Sequence, residues 1–534
     1  MRRFLVPGSL LLILAGPLGA QLRDSLPRIT AITLDNRNVF DSTDHSLLAR
    51  GMNFLHATTR APFIRREFLF KVGDRYDSAR VAETERNLRN LGVFKRVSID
   101  TVRSDSGVSI GVHTQDVLTA QLQESFRNTG GSVVWSVTAI ETNLFGTLSA
   151  VEAGYQHDPD RSTYVFGFAR RRLINDKIGA TVQLFDRSDG KLFFAQLSQP
   201  WFEAASHTSA TLTFDDRRAR ILQYRFGNSD TAFAITQNRY VLGRFDLSKA
   251  LQATSRDYVR LGMAVQVRRD DYVGDSSWQA TGFPMQSVTG AFGVYAEASH
   301  VNKPKVFAFQ SLSYDEDVDL SSTIRLSLFA APSALGYESG HAGIAPGIGV
   351  HTGIAFPHGF AFADVSASGL YTRNGLDSGQ VSIAGTAVLV PGRRHQLLLH
   401  GEANALEQPL PGTEFDLGLG AGPRAFKQHS FTGDREYFAT AEYRYTLGRD
   451  LLKLADLGVA AFADVGGAWW SGDPRRSGWD AGIGLRAAFG RGAGLGINRI
   501  DLAWRGARPD LPGGWVFAVG KGFVFSTSPR GTTR

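Results

Sequence analysis

The chain of 534 residues contains no cysteine. It can therefore hold no disulfide scaffold, no thiolate metal site and no catalytic thiol. It also lacks any internal run of about 20 apolar residues, the length that a membrane-spanning helix needs. This second absence excludes a protein that crosses a membrane by helices.

Glycine and phenylalanine are abundant instead, with 58 and 36 copies. Lys and Arg together number 58 against 51 Asp and Glu, which gives a formal net charge of +7. Glycine above its usual ~7%, combined with aromatic residues at only 43% hydrophobic content, indicates many β-strands in which polar and apolar residues alternate. The length fits several domains, or one small domain followed by one large barrel.

Residues 1–20 have the pattern of a secretory signal peptide. A basic start, Met1-Arg2-Arg3, is followed by an apolar stretch and then by small residues that end at Ala20. We therefore expect cleavage after Ala20 and export from the cytoplasm, which agrees with the absence of cysteine. The alternative is a short N-terminal anchor that is retained.

Residues 28–117 predict a small α+β domain with the order β-α-α-β-β. A strand-like run opens this segment, and residues 58–70 are expected to form a helix with Pro62 in its first turn. Two further strands are expected near its end, joined by a turn at residues 104–107.

A second helix is predicted between the first helix and these strands. Asp77 is expected to cap its N-terminus, and Gly92 occupies the place of a left-handed C-terminal cap. One face of this helix carries residues at helical spacing, namely Val81, Thr84, Leu88 and Leu91.

From residue 118 to residue 526 the sequence follows a period of two. One such run places apolar residues at alternate positions: Val259, Leu261, Met263, Val265 and Val267. Runs of 8–11 residues are typical of transmembrane β-strands that are apolar toward lipid and polar toward a lumen, whereas soluble β-sandwiches use strands of ~5–6 residues.

These patterns predict a mainly β chain, a 16-stranded antiparallel transmembrane β-barrel preceded by the small domain. The strand number comes from residues 118–526 at ~25 residues per strand and connection, and 14 or 18 strands remain open. Residues 527–534 are expected to form a C-terminal tail.

Several short motifs resemble the BamA/TamA family of outer-membrane assembly barrels. The small domain resembles a POTRA module, through Gly73-Asp74 and Tyr76-Asp77 before the helix and Leu91-Gly92-x-Phe94 after it. In the barrel, the sequence Asn-Leu-Phe-Gly at 143–146 resembles a segment found early in these barrels. Pro-Arg-Ala-Phe at 423–426 stands where the family has Val-Arg-Gly-Phe, and Phe-Ala-Asp-Val-Gly at 462–466 matches the family's Phe-x-Asp-x-Gly.

The resemblance implies a loop that docks inside the barrel. In the family the loop arginine contacts the strand that carries the Phe-x-Asp-x-Gly motif, so this role passes to Arg424 and Asp464, with Glu442, Phe426 and Gly466 as further members of the docking site. Arginine suits this role because its planar guanidinium can pair with a carboxylate in a bidentate manner. Pro423 and Ala425 depart from the family pattern, and Ala at a position that needs a positive φ would be penalised.

The final strand-like segment also resembles a family feature. It is rich in aromatic residues and resembles the terminal-strand signal by which outer-membrane barrels are themselves recognised; the residues concerned are Phe517, Val519, Gly520, Phe523 and Phe525. Phe523 and Phe525 are both candidates for the terminal aromatic residue, since residues 526–534 continue past them.

The implied function is an outer-membrane factor that inserts or exports client proteins, with the POTRA-like domain in the periplasm. Its expected partners are outer-membrane lipids, unfolded barrel or secreted proteins, and periplasmic accessory proteins. The alternatives are a passive or dedicated secretion or transport pore and, least favoured, an enzyme.

No catalytic, cofactor or metal site is expected, because the histidines lack zinc-like spacing and no nucleophile motif is present. The basic runs Arg170-Arg171-Arg172 and Arg217-Arg218 accompany no nucleic-acid-binding fold, so the expected explanation is contact with anionic lipid headgroups or a basic lumen.

Overall fold

The computed structural model describes residues 27–39, 56–129, 132–225, 231–274, 276–282, 285–313, 315–335, 342–418, 422–451, 455–489 and 496–525. The expected signal peptide and the expected C-terminal tail lie outside these ranges. Among the described residues, no helix is long and apolar enough to cross a membrane.

The N-terminal part folds as a small α+β domain. Its elements are β1 (Ile29–Arg37), α1 (Ala61–Arg65), α2 (Ser78–Asn90), β2 (Phe94–Ser104) and β3 (Gly107–Asp116). The sheet order is β1-β3-β2, with β1 parallel and β2 antiparallel to β3. Buried Ile64, Leu88, Val108 and Ile110 belong to the hydrophobic core between the helices and this sheet.

Both predicted ends of helix α2 are confirmed. The Asp77 carboxylate accepts hydrogen bonds from the backbone N–H groups of Ala79 and Arg80, at 2.9 and 3.4 Å, and Gly92 has φ +69°. The prediction for the first helix was too long, because only Ala61–Arg65 is helical. Beyond it, the N–H of Leu69 donates to the Thr84 hydroxyl at 3.2 Å, so a tertiary contact draws the chain out of the helix.

A single large antiparallel sheet follows and nearly closes into a barrel. Within the described ranges it has 20 strands, where the sequence arithmetic predicted 16. The barrel runs from Ala120 to Lys521, so each strand with its connection takes about 20 residues rather than ~25, because many connections are tight turns. The first strand, β4, lies beside the last, β27.

The barrel strands are β4 (Ala120–Thr129), β5 (Ser132–Glu141), β6 (Ser149–His157), β7 (Ser162–Ile174), β8 (Ile178–Arg187), β9 (Gly190–Gln199), β10 (Thr208–Gln223), β11 (Ala234–Ala253), β12 (Asp257–Gly274), β13 (Gln286–His300), β16 (Ser322–Ala331), β17 (Gly343–Phe356), β18 (Gly359–Thr372), β19 (Gly375–Gly392), β20 (His395–Glu407), β23 (Arg435–Leu451), β24 (Ala455–Trp469), β25 (Gly478–Phe489), β26 (Asn498–Arg505) and β27 (Gly514–Lys521). Two small hairpins lie in connections, β14 (Lys305–Phe307) with β15 (Asp315–Asp317) and β21 (Phe415–Leu417) with β22 (Phe431–Gly433), and a short helix α3 (Ser276–Ala280) follows β12.

The outer wall of the barrel is apolar and exposed, and its inner wall is polar. On β12, Leu261, Met263 and Val265 point outward with 44–57% of their surface exposed, while Arg260 on the same strand is buried on the inner side. On β16, Leu326 and Leu328 point outward in the same way. This alternation is the pattern of a wall that faces lipid outside and a polar lumen inside.

The two ends of the barrel differ in what covers them. We call the end that contacts the N-terminal domain the near rim and the opposite end the far rim. At the near rim, Arg80 of α2 makes a bidentate pair with Glu203 at 2.8 and 3.0 Å. Arg89 does the same with Asp317 at 2.9 and 3.1 Å. Helix α2 therefore bridges two near-rim connections of the barrel.

Three segments lie inside the barrel. The crossing hairpin (residues 301–313 and 315–321, around β14 and β15) enters from the near rim. Its tip reaches the wall near the last strands, where Gln396 and Arg449 donate to the carbonyls of Ala308 and Leu312 at 3.0 and 2.6 Å. The lumen loop (residues 408–418 and 422–434) enters from the far rim, and the terminal segment Phe523–Phe525 enters behind β27.

The position of the terminal segment corrects the predicted final strand. Strand β27 ends at Lys521, and Gly522, with φ +73°, redirects the chain. Phe525 then stacks on His400 at 3.8 Å between ring centroids, and Phe523 lies 5.3 Å from Phe309 of the crossing hairpin. The inner wall offers these rings aromatic partners, so they leave the strand and lie in the lumen.

Candidate functional site

The lumen loop docks against the inner face of strands β23 to β26 through Arg424. Only 5% of Arg424 is exposed. Its Nε and Nη2 donate to the two carboxylate oxygens of Asp464 at 2.7 and 3.1 Å, and its Nη1 donates to Glu442 at 3.0 Å. The guanidinium carbon also lies 3.6 Å from the ring centroid of Phe462, a cation–π contact. The structure thus brings together Arg424, Asp464 and Glu442.

A network of charges surrounds this contact, and the sequence analysis identified only part of it. Its members are all 6% exposed or less: Arg424, Arg444, Arg486, Arg499, Glu442, Asp464, Asp480 and Asp501. Arg486 links two of the carboxylates, donating to Glu442 at 2.9 and 3.0 Å and to Asp501 at 2.6 Å. The set contains four arginines and four acidic groups, so the buried loop guanidinium does not stand alone.

The spacing of the charged residues along the strands could have revealed further members of this network. Arg444 stands two residues after Glu442, and Asp501 two residues after Arg499. In a strand, residues i and i+2 share one face. Opposite charges at this spacing on successive strands indicate a charged inner wall.

Two glycines make room for the docked loop. A Cβ on Gly466 would lie 3.2 Å from Cδ of Pro423, and a Cβ on Gly478 would lie 2.3 Å from the ring of Phe426. Phe426 itself is fully buried, with its ring 5.0 Å from that of Phe431. The loop can therefore approach the wall closely because glycine carries no side chain at these two positions.

The departures from the family motif fit this geometry. Ala425 is not among the described residues with positive φ; the preceding Gly422 has φ +96° instead. The N–H of Ala425 donates to Asp480 at 2.9 Å. The turn thus places its left-handed residue at a glycine, and alanine at 425 carries no penalty.

His429 holds the lumen loop in place at the far rim. Its Nδ1 lies 2.5 Å from a carboxylate oxygen of Asp416 on the same loop, and its Nε2 lies 3.2 Å from Asp160 in the β6–β7 connection. Its ring stacks on Tyr224 at 3.8 Å. Burial alone would lower the pKa of His429, but the hydrogen bonds and charges of Asp160 and Asp416 outweigh burial and raise it to about 9. The imidazolium therefore bridges two acidic groups, a contact that no periodic pattern in the sequence indicates.

The predicted residues of the final strand divide into three environments. Phe517 points outward and is 54% exposed. Gly520 faces inward, where a Cβ would lie 2.6 Å from Nη2 of Arg499. Phe523 and Phe525 lie in the lumen, as described above. Only the strand portion up to Lys521, including Val519, is thus available as a lipid-facing terminal strand.

The segment at 143–146 joins the small domain to the barrel. Asn143 is buried, and its Nδ2 donates to the Thr59 hydroxyl at 2.7 Å while its Oδ1 accepts from the N–H of Leu148 at 2.9 Å. A Cβ on Gly146 would lie 2.4 Å from the Thr58 carbonyl oxygen. This motif therefore holds the N-terminal domain on the near rim.

Comparison with known proteins agrees with this domain order. Residues 56–117 match the POTRA family model, described as a surface antigen variable number repeat. The outer membrane protein assembly factor BamA of Neorickettsia risticii (strain Illinois) is 28% identical over 130 residues. The chain thus resembles BamA-type proteins in its domain order, a POTRA domain in front of a β-barrel. The alignment covers 24% of this chain and only 18% of that relative.

Solved structures of similar proteins were also found. BamA from Haemophilus ducreyi lacking POTRA domains 1–3 has 12% identity and a TM-score of 0.39, with 92% of this chain and 85% of that chain covered. CdiB from Escherichia coli has 14% identity and a TM-score of 0.47, with coverage of 92% and 76%.

Proposed function

We propose that this BamA/TamA-like chain is an outer-membrane barrel that inserts or exports client proteins, with its POTRA domain in the periplasm. The near rim then faces the periplasm and the far rim the cell exterior. The observation that carries the proposal is the lumen loop, pinned by Arg424 inside a barrel that stands behind a POTRA domain.

The charge network gives the docked loop a defined resting position. Undocking the loop means separating Arg424 from Asp464 and Glu442 while all three remain in a poorly solvated interior, and this is costly. The loop therefore keeps strands β23 to β26 at fixed spacing, which favours a stable wall close to the place where β27 meets β4. A client segment would pair with this wall or pass along it. The residues of the charge network hold the wall in shape, and no covalent chemistry is involved.

The filled lumen argues against the alternative of a passive pore. The crossing hairpin, the lumen loop and the terminal segment all lie inside the barrel, and helix α2 bridges the near rim. Passage of a solute or a protein would need at least one of these segments to move. A dedicated secretion barrel for one client uses the same parts, so it remains the second candidate.

Depletion of the protein, followed by quantitative proteomics of the outer membrane and the medium, tests the proposal. We expect a set of barrel or secreted proteins to fall, and complementation by Arg424→Ala to be impaired relative to Arg373→Ala, a matched change in an exposed far-rim turn. A fall confined to one secreted protein would select the dedicated barrel. An unchanged protein inventory would refute both.

A further inference from the structure

A row of cations crosses the outer wall just above its apolar belt. In the pairing register of strands β9, β10 and β11, Lys191 lies opposite Arg218, and Arg218 lies opposite Arg239. All three side chains point away from the lumen and are exposed. We call these three residues the outer cation row. Neighbouring strands are about 4.8 Å apart, so the row spans roughly 10 Å.

The height of the row follows from the residues beneath it on the same outer face. Two residues along the strands from the row, toward the near rim, the register places Phe193, Asp216, Val241 and Arg269 side by side. Arg269 donates to Asp271 at 2.8 and 3.0 Å. The next two outward rows are apolar or glycine: Ala195, Phe214, Gly243 and Val267, then Leu197, Leu212, Phe245 and Val265. The outer cation row thus lies one mixed row above the apolar belt, which is the level of lipid headgroups.

The outer cation row is poorly neutralised by the protein. Like charges directly opposite on neighbouring strands destabilise a sheet. Lys191 lies 3.9 Å from Asp186, and Arg239 lies 3.8 Å from Asp216, in exposed pairs that contribute little. Within the part of the chain that the structure describes, no ion pair is found for Arg218.

The inner wall at the same height shows the contrast. Arg217 and Arg268 face the lumen, and each pairs with an acidic residue two positions away on the same strand. Arg217 donates to Asp215 at 2.8 Å, and Arg268 donates to Asp270 at 2.7 Å. These two lumen arginines thus have acidic partners at hydrogen-bond distance. The acids nearest Lys191 and Arg239 lie farther away, at 3.9 and 3.8 Å, which leaves the outer cation row able to bind a further anion.

We propose that Lys191, Arg218 and Arg239 form a binding site for a phosphorylated lipid headgroup in the membrane leaflet at the far rim. Phosphate is the headgroup anion that arginine binds best, because the guanidinium fork matches its oxygens. Three cations on adjacent strands present a linear set of donors to one or two phosphate groups. The flanking Asp186 and Asp271, at the two ends of the same register row, limit the site to the three central strands.

Lipid titration of the purified full chain in detergent, followed by native mass spectrometry, tests the site. The probe is a lipid A with two phosphate groups. Each cation near an anionic headgroup contributes about fivefold in affinity. We therefore expect Arg218→Gln to weaken binding about fivefold, and the triple change Lys191→Gln, Arg218→Gln, Arg239→Gln to weaken it roughly 125-fold. Arg373→Gln, in an exposed turn at the same rim, should leave affinity within twofold.

A competition experiment and a folding control complete the test. Inorganic phosphate at millimolar concentration should fail to displace the lipid, because it lacks the acyl chains that fix the headgroup at the wall. Heat-modifiable migration on gels should report a folded barrel for each variant, and the single Arg218→Gln variant carries the test if the triple variant does not fold. Unchanged affinity in Arg218→Gln, an equal loss in Arg373→Gln, or displacement by inorganic phosphate would each overturn the proposal.

Discussion

Replacement of Arg424 by alanine should release the lumen loop from the barrel wall. The change removes the two hydrogen bonds to Asp464, the bond to Glu442 and the cation–π contact with Phe462. It leaves the backbone of the loop free of new clashes, because alanine is smaller. The effect therefore reports on the docking contact itself.

The size of the effect follows from what remains buried. Removing one member of a buried ion pair costs about 3–5 kcal/mol, because its partner stays in a poorly solvated site. Here Asp464 keeps a 2.6 Å hydrogen bond from the Thr440 hydroxyl, and Glu442 keeps its arginine partners on the strands. The lower end, about 3 kcal/mol, is therefore expected, and at 1.4 kcal/mol per tenfold this corresponds to roughly 140-fold in loop opening.

Hydrogen exchange of the loop peptide measures this opening. The N–H of Ala425, bound to Asp480, should exchange roughly 140-fold faster in Arg424→Ala, while peptides of the N-terminal domain keep their rates. Arg424→Lys should fall between, because lysine lacks the bidentate fork. Asp464→Asn combined with Arg424→Ala should cost less than the sum of the single changes. Equal exchange at Ala425 in wild type and Arg424→Ala would refute the docking argument.

Three other contacts give separate predictions. Because the pKa of His429 is raised to about 9 from an unfolded value near 6.5, its stabilisation is complete below about pH 6.5 and is lost as pH rises through 9. The thermal midpoint should fall over that range, and His429→Gln should flatten the fall; a parallel fall in both proteins would contradict the assignment. Gly478→Ala, whose Cβ meets Phe426, should destabilise loop docking by about 1–3 kcal/mol. Gly243→Ala, with open space around its Cβ, should be neutral in the same exchange assay. Arg89→Glu should loosen the N-terminal domain, and adding Asp317→Arg should restore part of the contact; cross-linking of the domain to the rim measures both, and no rescue would count against the pair.

Local sequence signals were enough for the elements whose causes are local. The Asp77 cap and the Gly92 stop of helix α2 follow from backbone hydrogen bonding and from a positive φ. The alternation along β12 follows from the period of two, which fixes which residues face outward once one side is apolar. These features depend on residues that are close together in the sequence. The barrel and its apolar outer wall could therefore be predicted from the sequence.

The tertiary structure decided everything that depends on distant partners. The first helix ends early because Leu69 finds Thr84, and Phe523 and Phe525 leave the final strand because His400 and Phe309 offer stacking partners inside the barrel. The strand number depends on how tightly the turns close, which periodicity does not encode. Motif resemblance selected Arg424 and Asp464, but it could not reveal the partners that Arg486 and Asp480 contribute, since these residues meet the loop only when four strands are aligned in register.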